Sequence, residues 1–388
     1  MQVASKTASD LHREGDEHTQ AGRFEEALKS FQSALALDPL SAPLRFNIAT
    51  TLHALKRFKE TVAWYDKTLE VAPGLAMAHH NKATTLLLLG QIAEGFREYE
   101  WRKVCPGWAD DARYALERPW RGEDLSGKTL FIFPELFQGD LIQFGRYALL
   151  AERAGARVIL GAPAAMHALL ATMSPTITLI ADDAPTPDYD FQCGHMSLPT
   201  LFGTTLKTIP SFRQYLQADP ERVARWKRRI GDEGLKVGIA WQGSVRANLR
   251  SFPLALAAER LGRIPGVRLI SLQKHAGLDQ LGALAPGAVE TLGEDFDPGP
   301  DAFVDTAAAM TCCNLFITAD TSGVHVAGAL GAPTSVVVPY VGDWRWLERG
   351  MDCPWYPSVK VHRQRVRDDW TSVFDDLAKP IRKLASRT

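Results

Sequence analysis

The chain has 388 residues, of which 46% are hydrophobic and 23% are charged, and its formal net charge is -1. This length exceeds that of one ordinary domain, and the composition is typical of a globular protein that can bury a core. The near-neutral charge argues against a nucleic-acid binder, and no apolar run reaches the roughly 18 residues that a membrane span needs. The N-terminal stretch lacks the hydrophobic core of a signal peptide, so we expect a cytoplasmic protein with reduced cysteines.

A period of 34 residues runs through the first hundred positions. Three sets of positions repeat at this spacing: Ala27, Thr61 and Gly95; Phe31, Tyr65 and Tyr99; and Gly22, Lys56 and Gly90. The spacing resembles that of the tetratricopeptide repeat, whose second-helix signature is clearest in AGRFEEALKSFQSALALDP. Small residues at positions 27 and 34 allow paired helices to approach closely. We therefore predict about three repeats over residues 1–105, which recruit a protein acceptor or partner, or else form a structural or dimerising appendage.

The pattern changes after the repeats. Residues 106–127 are rich in Pro, Gly, Trp and charge, so we predict a linker that is packed by its tryptophans. From Lys128, short apolar runs alternate with amphipathic segments, which is typical of parallel βαβ units. We predict a Rossmann-like half at 128–220, a connector at 221–234, a second Rossmann-like half at 235–370, and a C-terminal helix at 371–388 that packs back on the first half.

Two such halves predict a ligand cleft between them, at the carboxyl ends of the strands. Within the first half, residues 189–216 lack a clear period and are expected to form a loop-rich edge. Neither half contains GxGxxG or GxxxxGK[ST], which disfavours a simple nicotinamide enzyme and a P-loop NTPase.

The stretch TADTSGVHVAGALGAPTSVVV places polar residues between an expected strand and an expected helix. The residues at the helix N-terminus are Asp320, Thr321, Ser322 and Gly323. Backbone N–H groups there have no partner within the helix, and Asp, Thr or Ser commonly caps them. Capping needs only one such residue. Three of them, followed by a glycine and by His325 in the first turn, indicate a phosphate or diphosphate site.

The composite DTSGVHVAGALGAP resembles the donor-site motif of the heptosyltransferase-like glycosyltransferases, which have the GT-B fold. Other segments occur in the order found in bacterial proteins that carry tetratricopeptide repeats before such a domain: EGFREYEWR, GDLIQFGRYALLAERAGARVIL, VGIAWQGS, RSFPL, ISLQK, DTAAAM and DWRWLERGMDCPWYPS. The resemblance implies helical repeats followed by a GT-B fold of two Rossmann-like domains. It also implies an inverting glycosyltransferase that uses a nucleotide sugar as substrate and needs no cofactor. The sequence has no DxD pair at an evident strand end, so we predict that no metal is required.

In that family, a Gly-Asp pair after the first strand supplies the catalytic base, which corresponds here to Gly139 and Asp140. A carboxylate there can take the proton of an acceptor hydroxyl. The alternative is that Asp140 only caps the helix that follows. The loop reads ELFQGD, in which Phe137 replaces an inner glycine of related proteins. This bulkier loop is expected to change the acceptor pocket or to weaken catalysis.

The resemblance also implies a set of donor-binding residues. Arg250, with Arg246 as second choice, stands where the family has a basic residue near the donor phosphates, and a guanidinium suits a diphosphate. Gln273 and Lys274 end a strand at the same rim and are expected to contact the nucleoside or a phosphate. The motif residues complete this set: Asp320, Thr321, Ser322, Gly323 and His325. The competing interpretations are a solvated arginine at 250 and a structural role for positions 273 and 274.

Three functions are therefore open. The first is glycosyl transfer to a protein that the repeats recruit, such as a surface or flagellar protein. The second is transfer to a glycan or a lipid-linked saccharide, as for heptosyltransferases. The third is a catalytically lapsed interaction protein that keeps the fold. The tryptophans of DWRWLERGMDCPWYPS are expected to pack at a domain junction, and the basic segments RWKRR and HRQRVR to be solvated faces rather than a nucleic-acid surface.

Overall fold

The computed structural model describes residues 6–107, 117–135, 137–243 and 250–387. The chain divides into two compact units, one of Met1–Ala115 with Gly203–Lys207 and one of Leu116–Phe202 with Thr208–Thr388. Residues 108–116 of the expected linker lie outside the described residues. Its described C-terminal part is packed, because the Trp120 ring is buried against Phe202 with 5.1 Å between ring centroids.

The first unit is built from pairs of helices. Its helices are α1 (Ala8–Gln20), α2 (Phe24–Leu37), α3 (Ala42–Ala54), α4 (Phe58–Val71), α5 (Ala76–Leu88) and α6 (Ile92–Tyr99). Small residues allow close packing: Ala27 and Ala34 are fully buried, and a Cβ added to Gly15 would lie 2.4 Å from the Phe31 ring. The predicted small positions thus lie where the paired helices meet.

The turn within each helix pair repeats its backbone conformation. Gly22, Lys56 and Gly90 follow the first helix of successive pairs and have φ values of 71°, 61° and 79°. Glycine adopts this left-handed conformation without strain, whereas a residue with a Cβ pays about 1 kcal/mol. The turn geometry is therefore kept at Lys56 even though the sequence repeat departs from glycine there.

The first half of the second unit contains a four-stranded parallel sheet in the order β3-β2-β1-β4. Its elements are β1 (Thr129–Phe133), α7 (Gln138–Arg153), β2 (Arg157–Ala162), α8 (His167–Leu170), β3 (Thr178–Ala181), β4 (Phe191–Gly194) and α9 (Leu198–Leu201). The stretch expected to be a loop-rich edge contains the edge strand β4, which pairs with β1 through Leu130 and Phe191. The sequence gives little sign of it, because a strand of four residues is too short to establish a period.

The second half contains a six-stranded parallel sheet in the order β10-β9-β8-β5-β6-β7. Its elements and those that flank it are α10 (Pro220–Ile230), β5 (Leu235–Ala240), α11 (Leu254–Leu261), β6 (Val267–Ser271), β7 (Glu290–Thr291), α12 (Val304–Thr311), β8 (Leu315–Ala319), α13 (Ser322–Leu330), β9 (Thr334–Val338), β10 (Val359–Arg363) and α14 (Thr371–Ala385). The central strands β8 and β9 are almost wholly buried, as expected for a parallel sheet covered on both faces.

The C-terminal helix corrects one expectation. We expected it to pack back on the first half, but the apolar face of α14 belongs to the core of the second half. Phe374 packs edge-on against Phe252, with 5.0 Å between ring centroids, and Leu377 and Ile381 extend the same cluster. The apolar face is therefore satisfied by α11 and its neighbours.

Arg146 joins the two halves from the middle of α7. Its side chain is fully buried and donates hydrogen bonds to the carbonyl of Trp355 in the second half, at 2.5 Å, and to the hydroxyl of Tyr215, at 3.2 Å. Such a buried cation is costly unless its donors are satisfied, so these contacts hold α7 firmly against the second half. Within the described ranges, none of the helices has both the length and the apolar character required to cross a membrane.

Candidate functional site

Two helix N-termini meet between the halves of the second unit. α7 follows the buried strand β1, and α13 follows the buried strand β8. A Cβ added to Gly139, in the first turn of α7, would lie 2.9 Å from Cδ2 of His325 and 3.3 Å from Oγ of Ser322, both in the first turn of α13. The unpaired N–H groups and positive dipole ends of two helices are thus concentrated in one place, which favours an anion.

Asp140 is buried in the first turn of α7 and is paired with a residue of the other half. Arg345 donates a hydrogen bond from Nη2 to Oδ1 of Asp140. Its Nε donates to Oε1 of Gln143 at 2.7 Å, and its Nη1 donates to Oδ1 of Asp343 at 2.8 Å. Arg345 therefore links α7 to the segment after β9. The backbone N–H of Phe137 also donates to Oδ2 of Asp140, at 3.4 Å. The N-cap of α7 is Phe137 and Asp140 lies inside the helix, so the alternative that Asp140 is the N-cap of a helix that follows it is corrected.

Arg250 also contacts Asp343, the carboxylate that is paired with Arg345. Its guanidinium nitrogens lie 3.3 Å from Oδ2 of Asp320 and 3.3 Å from Oδ2 of Asp343. The structure thus brings Arg250 beside the motif residue Asp320. Arg246, the second choice, lies outside the described residues.

Asp320 and Asp343 flank Arg250, and their pKa values are shifted in opposite directions. Burial, and then the negative charge of Asp343, raise the pKa of Asp320 above its ordinary value. Burial would also raise the pKa of Asp343, but the Arg345 and Arg250 guanidinium groups outweigh it and hold that pKa below its ordinary value. Protons are therefore taken up at Asp320 before Asp343 as the pH falls.

His325 is a neutral member of the site. Burial, then the positive charges of Arg345 and Arg146, lower its pKa well below its ordinary value. Its Nδ1 lies 2.9 Å from the hydroxyl of Tyr356, and its ring stacks on Trp346 with 5.9 Å between centroids. At neutral pH it offers a polar imidazole rather than a positive charge.

The remaining motif residues divide between capping and contact. Thr321 is the N-cap of α13, and its Oγ1 accepts a hydrogen bond from the N–H of Gly323 at 3.3 Å. Ser322 is the first helical residue and faces Gly139. Capping thus explains Thr321, but it does not explain Asp320 or Ser322.

Two expected donor contacts have structural partners instead. The side-chain oxygen of Gln273 accepts hydrogen bonds from the N–H groups of Trp241, at 2.9 Å, and Gln242, at 3.1 Å. Its amide nitrogen donates to the carbonyls of Gln242, at 2.7 Å, and Ala276, at 2.8 Å. These bonds use the hydrogen-bonding capacity of the amide, so the contacts that Gln273 makes in this structure are structural.

The side chain of Lys274 likewise contacts another part of the protein. Its ammonium group donates to the carbonyl of Phe296 and lies 5.8 Å from the centroid of that ring. The structure therefore engages Lys274 with the loop before α12 and not with the cluster around Asp320.

Sequence reasoning missed Arg345. The segment DWRWLERGMDCPWYPS was interpreted through its tryptophans, and Trp344, Trp346 and Trp355 are indeed buried. Arg345 lies between two of them, with its guanidinium 4.2 Å from the centroid of the Trp344 ring. The sequence signal for Arg345 was a charged residue between two tryptophans that are expected to be buried. A buried arginine seldom lacks an acidic partner, so this position indicated a buried ion pair.

At the helix N-termini, these contacts join the two halves. A cavity of about 360 Å³ lies near α8, the start of α10 and α12, and residues of both halves line it, among them Leu169, Pro220, Arg222 and Val304. At the rim of the site, Phe137 is 74% exposed, so the bulky residue of the ELFQGD loop faces solvent. In the part of the chain that is described, no three His, Cys, Asp or Glu side chains are grouped so as to hold a metal ion.

Comparison with known proteins agrees with this architecture. The tetratricopeptide repeat family model matches residues 18–94. The solved structure of a family 9 glycosyl transferase from Veillonella parvula covers 69% of this chain and 100% of its own, with a TM-score of 0.51 at 12% identity. Residues 18–94 are thus similar to tetratricopeptide repeats, and the α/β part of the chain has a GT-B-type fold like that of the glycosyl transferase. The fold class predicted from the sequence is thereby confirmed.

Two further relatives match most of the chain. Protein FlbA of Caulobacter vibrioides is 26% identical over 438 residues, which cover 94% of this chain and 71% of FlbA. The ADP-heptose lps heptosyltransferase II of E. coli covers 67% of this chain and 100% of its own, with a TM-score of 0.47 at 14% identity. The match to FlbA spans nearly the whole of this chain, including both compact units.

Proposed function

We propose that the protein is an inverting, metal-independent glycosyltransferase, which moves a sugar from a nucleotide-sugar donor to a hydroxyl group of a protein recruited by its repeats. The observation that carries the proposal is the cluster of Asp140, Arg345 and Arg250 at the facing N-termini of α7 and α13. It combines a carboxylate with two guanidinium groups and two helix dipoles, which are the groups that this reaction requires.

In the proposed reaction, the donor diphosphate lies at the N-terminus of α13, beside Ser322, Gly323 and Arg250. Asp140 accepts the proton of the acceptor hydroxyl as its oxygen forms a bond to the anomeric carbon. The bond from that carbon to the phosphate oxygen breaks, and the nucleoside diphosphate leaves with the electron pair. Attack opposite to the leaving group inverts the anomeric configuration. The helix dipoles and guanidinium groups stabilise the negative charge that develops on the leaving phosphate, so the proposal needs no metal.

The proposed acceptor is a protein, because helical repeats of this kind present an extended surface to peptides. A glycan or lipid-linked saccharide is the alternative acceptor. Deleting residues 1–105 tells them apart, provided that the shortened chain still melts cooperatively. Loss of transfer to protein with retained transfer to small saccharides supports recruitment by the repeats, whereas equal loss on both substrates contradicts it.

A catalytically lapsed interaction protein is the second candidate, and two observations favour it. Phe137 occupies the loop next to Asp140, and Asp140 is engaged by Arg345. This candidate predicts binding of a nucleotide sugar without turnover, or no binding at all.

The test starts with a thermal-shift screen of nucleotide sugars, since a ligand of the folded state raises the melting temperature. The best donor is then used to measure hydrolysis and transfer by the wild type and by Asp140→Asn, with and without EDTA. We expect Asp140→Asn to bind the donor at least as tightly as the wild type and to lose about 100- to 10,000-fold in rate. Asp352→Asn, an 89% exposed side chain paired with Lys360, is the matched control and is expected to be fully active. No binding of any nucleotide sugar excludes both enzyme functions, and loss of rate in EDTA contradicts metal independence.

A further inference from the structure

Arg345 is the side chain that connects the proposed base to the other half of the site. Each of its three guanidinium nitrogens donates a hydrogen bond, to Gln143, Asp343 and Asp140 respectively. Two of these partners lie on α7, whereas Asp343 lies on the same segment as Arg345 itself. Arg345 therefore can leave Asp140 and still keep one carboxylate partner.

The cluster has more carboxylates than guanidinium groups. Asp140, Asp320 and Asp343 are joined through Arg345 and Arg250 into one chain of ion pairs. With all three carboxylates ionised, this chain has a net charge of -1. An anion that enters must therefore compete with the carboxylates for the guanidinium groups, since its own charge is otherwise repelled.

The pairing also occupies the proposed base. Oδ1 of Asp140 accepts the charge-assisted hydrogen bond from Arg345. That oxygen is open to an acceptor hydroxyl only after Arg345 has moved away. A buried arginine offers two parallel hydrogen bonds to a phosphate as well as to a carboxylate, so a diphosphate is a suitable competitor.

We infer that Arg345 is a positioning residue that couples donor binding to release of the base: its guanidinium holds Asp140 until a diphosphate binds at α13 and takes its place. The inference rests on the proposed function, since it assigns the order of events at that same site. It requires that Asp140 and the anion compete for one side chain.

A double-mutant cycle with inorganic pyrophosphate tests this without relying on activity. Binding is measured by calorimetry at fixed pH and ionic strength for the wild type, Asp140→Asn, Arg345→Gln and the double variant. Asp140→Asn is expected to tighten pyrophosphate binding about 5- to 20-fold, because it frees Arg345 for the anion. Arg345→Gln is expected to weaken binding about tenfold, and in that background Asp140→Asn is expected to have little further effect.

Other variants keep the test decisive. Arg345→Lys retains the charge but loses the forked geometry, so it is expected to lie between the wild type and Arg345→Gln, and it replaces Arg345→Gln in the cycle if the latter does not melt cooperatively. Arg349→Gln removes an arginine that is 86% exposed in the same segment, and it is expected to leave binding unchanged.

Each contrary result has a distinct meaning. Equal tightening by Asp140→Asn in both backgrounds overturns the inference, because simple charge repulsion gives that result. Unchanged binding in both Arg345 variants also overturns it and assigns Arg345 to structure alone. If pyrophosphate does not bind to the wild type, the anion site itself is wrong, and the proposed function loses its support together with this inference.

Discussion

Gly139 and His325 are in contact across the two halves of the α/β unit. A Cβ added to Gly139 would lie 2.9 Å from Cδ2 of His325, a distance that real Cβ atoms essentially never show. The imidazole has little freedom to yield, since it is buried, lies 2.9 Å from the hydroxyl of Tyr356 and stacks on Trp346. The absence of a side chain at position 139 thus sets how closely the N-termini of α7 and α13 approach.

We therefore expect Gly139→Ala to be harmful although alanine favours a helix. The added methyl group must displace a buried ring, which costs about 1 to 3 kcal/mol of the free energy of unfolding and separates the two helix ends. Chemical denaturation measures the loss, and donor affinity is expected to fall with it.

Gly145→Ala, in the same helix, is the control. Its Cβ would lie 3.3 Å from Cε of Met173, the flexible end of a long side chain. Helix propensity then dominates, and we expect a change between zero and about 1 kcal/mol of stabilisation. Equal effects of the two substitutions would show that the contact with His325 is unimportant.

For Gln273, we predict a change in stability without a change in donor binding. Gln273→Ala leaves the buried N–H groups of Trp241 and Gln242 without their acceptor. We expect a loss of about 2 to 4 kcal/mol in the free energy of unfolding. The folded fraction is expected to bind donor normally, because the side chain has no capacity left for a ligand. Gln32→Ala, at an exposed position of α2, is the neutral control, and a selective loss of donor affinity in Gln273→Ala would restore the original expectation.

Local signals in the sequence predicted the anion-binding end of the site but not its internal pairing. The motif around Asp320 is a strand end followed by capping residues, and both features are set by neighbours in the chain. Arg345 finds its partners Asp140 and Gln143 at separations of 205 and 202 residues, which no local pattern encodes. At the end of a strand, a glutamine that binds backbone and one that binds a ligand look alike in sequence, so the sequence alone left both interpretations of Gln273 open.

The same reasoning separates the parts of the fold that were predictable from those that were not. Periodicity revealed the repeats and the alternation of strands and helices, because these depend on residues within one or two turns. Periodicity also showed that α14 has an apolar face. Because both halves can bury such a face, the sequence did not indicate which half α14 packs against. In the structure, α14 packs against the core around Phe252. Strand β4 is too short to show a period and is specified by its pairing with β1.

The carboxyl groups of Asp320 and Asp343 predict pH effects of opposite sign. The pKa of Asp320 is raised in the folded state, so between its unfolded and folded pKa values the folded chain binds more protons than the unfolded chain. The free energy of unfolding therefore falls as the pH rises through that window. Asp320→Asn removes this penalty, and we expect it to stabilise the protein at pH 7 by on the order of 1 kcal/mol, with no gain at low pH.

Asp343 behaves in the reverse way. Its pKa is lowered in the folded state, chiefly because Arg345 and Arg250 outweigh its burial, so it contributes stability above its unfolded pKa that is lost as the pH falls through its folded pKa. Asp343→Asn is thus expected to destabilise the protein at pH 7 by on the order of 1 kcal/mol. Denaturation curves between pH 3 and 8 measure both variants, and a shift of the same sign in the two at pH 7 would contradict the assignment.

The last prediction concerns the turn of the second repeat. Lys56 has a φ of 61°, at the position where the neighbouring repeats have Gly22 and Gly90. A side chain in this conformation carries strain that glycine avoids, although glycine also loses more freedom on folding. Lys56→Gly and Lys56→Ala both lose the lysine side chain, but only glycine avoids the strain, so we expect Lys56→Gly to be about 0.5 to 1 kcal/mol more stable than Lys56→Ala in denaturation of the full chain. Gly22→Ala is the converse control, since its φ is 71° and a Cβ there would meet no atom within 4 Å, so conformation alone decides the result. It is expected to cost about 1 kcal/mol, and equal stability of Lys56→Gly and Lys56→Ala would mean that the turn imposes no strain on a side chain at position 56.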